Sequence, residues 1–274
     1  MRLPTRLLLL ITLLSAINLC TASTLEALTH TVLRQSGVNE QIQQFPNTMH
    51  YKIEQIYDMG KCDEQSFTVI NAAIEKTLNR HMMSSIVSKE LISSLSQAQL
   101  EHIEQWYNGE LGKKITALEL TSSEASALEQ MRLNKDKLLN NRQRLTLIKK
   151  IDEALQASDW AVNIDLQSTI ALLGALAQAQ NKNITPNLVK FAGQMDEQKA
   201  LLRPQIEKSI HAWYLFTYAS LSNSELETYI AFLENNETQA FNKIALKGLA
   251  HAITINVENF IIEVEKNSKN TSVR

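Results

Sequence analysis

The chain has 274 residues, with 27 basic and 29 acidic side chains and only 7 glycines and 4 prolines. Glycine and proline fall well below their usual ~7% and ~5%, so sheets and long loops are poorly supported and helices are the economical reading. The near-neutral, slightly acidic balance excludes a broadly basic nucleic-acid binder, though local patches remain open.

In chain order, the first segment reads as a targeting signal. Arg2 and Arg6 form a positive start, and the apolar run Leu7 to Leu19 is shorter than the ~20 residues a membrane-spanning helix needs. Cys20-Thr21-Ala22 places small residues at a cleavage site after Ala22, so residues 1–22 are expected to be a signal peptide and Ser23 the first mature residue. Removing Arg2 and Arg6 leaves 25 basic against 29 acidic side chains, a net charge of −4. An uncleaved N-terminal anchor is the alternative. Export implies a periplasmic or secreted protein. Cys62 would then be the only cysteine left, so no intramolecular disulfide is expected; a small buried side chain at a helix start beside Asp63 is the reading preferred over a reactive thiol.

Helical spacing predicts elements over Thr24 to Gln35, Val38 to Tyr57, Asp63 to Ile92, Ser96 to Asn108 and Thr121 to Ala157. Further helices are expected over Asp159 to Gln180, Pro186 to Ser220, Ser222 to Asn235 and Thr238 to Lys266, followed by a disordered tail, Asn267 to Arg274. Thr185-Pro186 is a good helix start, with a capping hydroxyl and a proline where no N–H is needed. Near the C-terminus Leu246, Leu249, Ala250, Ile253, Val257, Phe260, Ile261 and Val264 recur at three- and four-residue steps. That pattern outweighs a short strand-like alternation over Ile253, Ile255 and Val257.

An internal repeat organises the chain. Leu95 to Leu118 aligns on Leu221 to Ile244 without gaps, at an offset of 126 residues. Leu95, Ser96, Leu100 and Glu101 recur as Leu221, Ser222, Leu226 and Glu227, while Ile103, Trp106 and Tyr107 are answered by Tyr229, Phe232 and Leu233. Each copy opens on a capping box, Ser96 with Gln99 and Ser222 with Glu225. The expected fold class is therefore all-α: two tandem related helical bundles, residues 23–121 and 143–266, joined by a long basic helix over 122–142, with 267–274 as the tail.

Around that joint, Arg132 to Lys150 carries Arg132, Lys135, Lys137, Arg142, Arg144, Lys149 and Lys150 against Asp136 alone, locally +6. The preferred reading is a solvated helix face whose long side chains cover apolar surface. Peripheral contact with an anionic membrane or an acidic partner is the functional alternative.

The segment Gln105-Trp106-Tyr107-Asn108-Gly109-Glu110-Leu111-Gly112-Lys113-Lys114-Ile115 resembles the bacterial exported domain-of-unknown-function 2059 family. Its signature is an aromatic-Tyr pair, a Ser-Pro, then Gly and a basic residue. Trp106, Tyr107, Gly112 and Lys114 match, while Gly109 and Glu110 stand where Ser and Pro are usual. In the second copy Thr238 and Ala240 replace the glycine and the lysine. The resemblance implies a helical exported bacterial protein and brings no activity. Read physically, the motif is a corner: Trp106 and Tyr107 close a helix, Asn108-Gly109 breaks it, and Gly112 lets the next backbone approach. Trp106, Tyr107, Gly112 and Lys114 are the candidate binding residues, as a packing corner first and a binding surface second.

Catalytic motifs are absent from the sequence: there is no GxSxG, no HExxH, no phosphate-cradling glycine loop and no dinucleotide fingerprint. His30, His50, His81, His102, His211 and His251 are scattered, with no pair at the i, i+4 spacing of a metal site. No catalytic residue, metal or cofactor is expected. The expected function is a non-catalytic envelope protein that binds a partner protein or an apolar ligand, and no nucleic acid. The alternatives are an envelope enzyme with an unrecognised site near His102, Glu101 and Glu104, and a membrane-associated scaffold using the Arg132 to Lys150 segment.

Overall fold

The computed structural model describes residues 24–180 and 195–271. Among the described residues there are twelve helices and no strand. The segment read as a signal peptide, 1–22, and the start of the helix expected from Pro186 lie outside the described residues.

Helix α1 covers 24–35. It is followed by α2 (Val38–Asp58), α3 (Glu64–Thr77), α4 (Arg80–Ser94), α5 (Gln97–Asn108), α6 (Glu110–Ser122), α7 (Ala125–Leu139), α8 (Arg142–Leu155) and α9 (Ala157–Ala179). Three more complete the chain: α10 (Met195–Thr217), α11 (Asn223–Leu233) and α12 (Asn236–Thr271).

The boundaries follow from side chains that satisfy the N–H groups a helix leaves open at its start. The Asp63 carboxylate accepts from Ser66 N at 2.7 Å and opens α3. Cys62 beside it is buried, and its thiol donates to the Asp63 carbonyl over 3.3 Å. Burial and the neighbouring Asp63 charge push that thiol up in pKa, which suits an inert structural cysteine.

Three expectations are corrected. The single helix over Asp63 to Ile92 is divided at Leu78-Asn79, because the Asn79 side chain caps α4 by accepting from Met82 N while Asn79 N donates to Asn256 Oδ1 of α12. The long helix over Thr121 to Ala157 is divided twice, before Ala125 and at Asn140-Asn141, where Asn141 accepts from Arg144 N at 3.2 Å. The connecting helix over 122–142 is thus α7 plus a break. The tail, in turn, stays helical as far as Thr271, and Ser268 is buried.

Helix α12 presents Leu249, Ala252, Ile253, Asn256, Phe260, Val264 and Ser268 as one buried stripe of period 3.6. It lies against α3, α4 and α9, and a Cβ on Gly248 would come within 3.1 Å of Val87 Cα. The segments 23–121 and 143–266 therefore share one apolar core, running from Val32 and Leu33 through Ile103, Tyr107 and Ile115 to Phe241, Phe260 and Val264. Each large side chain so buried contributes about 1.5–3 kcal/mol of transfer free energy.

By length and composition α9 alone among the described residues is long and apolar enough to cross a membrane. In this fold it touches α2, α3, α8, α10 and α12, with about 33% of its apolar stretch buried. Lys52 of α2 clamps it through Asp165 Oδ1 at 2.7 Å, the Asp165 carbonyl at 2.8 Å and Thr169 Oγ1 at 2.8 Å.

Candidate functional site

The two aligned segments fold into the same local device. In the first, Ser96 N donates to Gln99 Oε1 at 2.9 Å and Gln99 N donates back to Ser96 Oγ at 3.3 Å, opening α5. In the second, Ser222 N donates to Glu225 Oε2 at 2.7 Å and Glu225 N donates to Ser222 Oγ at 3.2 Å, opening α11. Burial runs in the same register: Leu95 with Leu221, Leu100 with Leu226, Ile103 with Tyr229, Tyr107 with Leu233 and Ile115 with Phe241 are buried in both.

Gly112 is required at the first corner. A Cβ there would stand 2.3 Å from the Trp106 carbonyl oxygen and 2.6 Å from Tyr107 Cα, backbone atoms that cannot move aside. The sequence motif thus encodes the close approach of α6 to the end of α5.

The rings of the two devices meet. Trp106 lies on Phe232 with centroids 3.8 Å apart and planes 5° from parallel, and Tyr229 stacks beside it at 5.4 Å. Tyr107 meets both Trp106 and Phe232 edge-on, at 5.2 Å and 5.6 Å. The ladder continues inward through Tyr229 to Tyr218 at 5.9 Å and from Tyr218 to Tyr214 at 5.6 Å. Phe232 and Tyr229 are buried, whereas Trp106 keeps part of its surface open.

Two polar pairs also join the corners. Lys114 Nζ donates to Glu225 Oε1 at 2.7 Å, so the motif lysine of the first corner grips the capping-box carboxylate of the second. Lys114, then the Ser222 backbone and hydroxyl, hold the Glu225 carboxyl down to about 2. His102 pairs with Glu237 at the start of α12. Of the four candidate residues, Trp106, Tyr107 and Lys114 all reach the second corner, while Gly112 shapes the first.

Beneath the rings lies a carboxyl group that sequence reasoning missed. Tyr218 donates its hydroxyl to Glu119 Oε1 at 2.5 Å. The Glu119 carboxyl is enclosed, although the residue as a whole is only partly buried. Its desolvation outweighs hydrogen bonds from Tyr218 and Tyr229 and, with the nearby Glu40 charge, pushes it up to about 7. Burial, with Glu119 close by, raises Tyr107, Tyr214, Tyr218 and Tyr229 above the usual phenol range. A signal was present: Glu119 stands four residues after buried Ile115, on the core face, and the 126-residue offset carried one residue past Leu118 falls on buried Ala245.

A second buried polar cluster was also missed. Ser158 donates to Asp152 through its hydroxyl at 2.6 Å and its N–H at 2.8 Å, and His211 Nε2 lies 2.9 Å from the same carboxylate. Burial works to raise Asp152, yet the bonds from His211 and Ser158 leave its pKa lowered. The Ser158 hydroxyl and the His211 imidazole thus meet on the same carboxylate oxygen. The cluster ties α8, α9 and α10 together.

The remaining histidines serve as surface partners. His50 lies between Asn71 at 2.6 Å and Glu75 at 3.1 Å, and His251 stands 3.6 Å from Glu90. His30 and His81 are exposed. Among the described residues no group of three or more His, Cys, Asp and Glu could hold a metal ion. Near His102, Glu101 is exposed and accepts from Gln97, so neither Glu101 nor Glu104 is the carboxylate that the imidazole meets.

The basic segment is partly committed to the fold. Arg132 pairs with Glu129 at 2.7 Å and Lys135 donates to Ser209 at 2.8 Å. Arg144 reaches the Tyr218 carbonyl, the Leu221 carbonyl at 2.6 Å and Asn223 Oδ1 at 3.1 Å. Lys137, Arg142, Lys149 and Lys150 are exposed.

One surface cleft of about 410 Å³ is lined by Gln156, Asp159, Asn163, Lys199 and Arg203 among others. Another of about 220 Å³ is lined by Glu153, Gln239, Asn242 and Lys243 among others. Neither includes a residue of the aromatic junction. In comparisons with protein-family models, curated proteins and solved structures, nothing matches this chain.

Proposed function

We propose that this chain is an exported envelope protein that acts by association, without catalysis, and that the junction between two related helical units is its binding surface. The observation that carries the reading is the Trp106–Phe232 stack, whose outer partner stays partly exposed, while the Lys114–Glu225 and His102–Glu237 pairs join the same two corners. A partly exposed aromatic anchor is the kind of side chain that protein interfaces concentrate their energy on. A partner protein fits this better than an apolar ligand, because the inner rings are packed on one another.

Support for an internal duplication comes from the matching capping boxes and the matched burial register of α5 and α11. The similarity of Trp106, Tyr107, Gly112 and Lys114 to the exported family of unknown function agrees with it. Export to the periplasm or beyond rests on the sequence of residues 1–22.

The test is capture of the mature protein from its native envelope, with Trp106→Ala run beside it. A partner that is retained by the native chain and lost by a folded Trp106→Ala variant is expected, together with an intact mass that begins at Ser23. Identical retention by both proteins, or nothing bound to either under gentle conditions, would contradict the reading.

A further inference from the structure

The turn between α1 and α2 passes directly over α6. Gly37 sits there at φ +75°, and a Cβ on it would lie 4.0 Å from Glu119 Oε2. Thr116 Oγ1 donates to the Gln35 carbonyl at 3.1 Å, and Gln35 Nε2 reaches Asn108 Oδ1 at 2.8 Å. These contacts close a seam between the N-terminal corner and the α5–α6 corner.

Glu40 Oε2 and Gln35 Oε1 are buried and have no hydrogen-bond partner. Glu119 Oε1 receives the Tyr218 hydroxyl. The titratable groups facing Glu119 are Glu40 from α2, Tyr107 from α5, Tyr214 from α10, Tyr218 just past its end and Tyr229 from α11, none of them a cation. Among nearby cations, Arg144 is turned to the backbone carbonyls of Tyr218 and Leu221, and Lys114 to Glu225. An enclosed Glu119 carboxylate without a counter-ion loses hydration and is repelled by the Glu40 charge, a cost that a proton on Glu119 removes.

We propose that Glu119 is a proton-operated latch, which holds the α1–α2 corner against α6 while its enclosed carboxyl group is protonated and loosens that corner when it is charged, with Glu40 as the neighbouring charge that disfavours the charged form. The latch is independent of what the aromatic junction binds. It would make the attachment of the N-terminal helices respond to the acidity of the compartment.

The sign follows from the raised carboxyl. Stability from the neutral form is fully present below the ordinary glutamate value of 4.5 and is lost as pH rises through about 7. Between pH 6 and pH 8 the folding equilibrium constant of the native chain should therefore fall about tenfold.

Urea unfolding of the full chain at pH 5 to 9 tests this, with Glu119→Gln and Glu40→Gln alongside. The Glu119→Gln variant should lose the fall between pH 6 and 8, and amide exchange over residues 33–42 should quicken with pH in the native chain beyond the intrinsic base-catalysed rise. Should the variant fail to fold, carboxyl-carbon NMR of the native chain decides: a Glu119 resonance titrating near 7, and moving lower in Glu40→Gln, is expected. A Glu119 resonance that titrates below 5, or an unchanged pH dependence in a folded Glu119→Gln, would overturn the proposal.

Discussion

At the first corner α5 ends on Gly109 and α6 starts one residue later without a side-chain cap, its backbone drawn over Trp106 and Tyr107 at Gly112. At the second, α11 ends near Glu234, Asn235 Oδ1 accepts from Thr238 N at 2.8 Å, and the chain runs on as the long helix α12. The same opening, a capping box and an amphipathic turn, is thus closed in two ways. One corner excludes a Cβ and packs backbone on backbone; the other admits threonine and relies on an asparagine cap. The two are joined through one face, where Trp106 meets Phe232 and Lys114 meets Glu225. Matching helix faces and different turns are what is expected if packing between the two corners constrains the rings while each turn adapts to its own successor helix.

Substitutions can break this comparison in order of expected effect. Phe232→Ala should cost about 3–5 kcal/mol, as deletion of a buried aromatic ring does, and Trp106→Ala less because its ring is half-open. Denaturant midpoints measure both. Gly112→Ala should destabilise by about 3 kcal/mol, at the upper end for overpacking, since the clash is with backbone atoms. The matched change Thr238→Ala should stay within about 0.5 kcal/mol of the native chain or stabilise it, because Thr238 Oγ1 is buried without a partner. A similar cost at both positions would mean that the corners do not differ as described.

The capping boxes sharpen the likeness. Ser96→Ala and Ser222→Ala should each cost about 1 kcal/mol in thermal unfolding, as loss of a helix cap does. At the partly exposed ion pair, Lys114→Ala should cost less than about 1 kcal/mol, and raised salt should erase the difference.

Much of the fold was legible because the few glycines and prolines leave little besides helices and because apolar stripes of period 3.6 run long. The capping boxes were readable from Ser96-Gln99 and Ser222-Glu225 alone. Asn79 and Asn141 were not readable as breaks, since asparagine is tolerated inside a helix and only a partner such as Asn256, far along the chain, settles it as a cap. The end of α12 was misread because Asn267-Ser268-Lys269 has a tail's composition, whereas Ser268 in fact continues a buried stripe and donates to the Val264 carbonyl. Of the candidate site, Trp106, Tyr107 and Lys114 were found from their motif, but their partners Phe232, Tyr229 and Glu225 lie more than a hundred residues away. Glu119 escaped notice because a lone glutamate on a helix is ordinarily solvated, and only tertiary packing encloses it. Arg144, counted with the surface cations, turned out to hold the end of α10 to the start of α11.

A double-mutant cycle between Trp106 and Phe232 tests the joining of the two corners most directly. Unfolding free energies of the native chain, Trp106→Ala, Phe232→Ala and the double variant should give a coupling of about 0.5–1.5 kcal/mol, the range of stacked aromatic pairs. Additive single effects, with no coupling, would mean that the corners do not support one another and would remove the junction from this account.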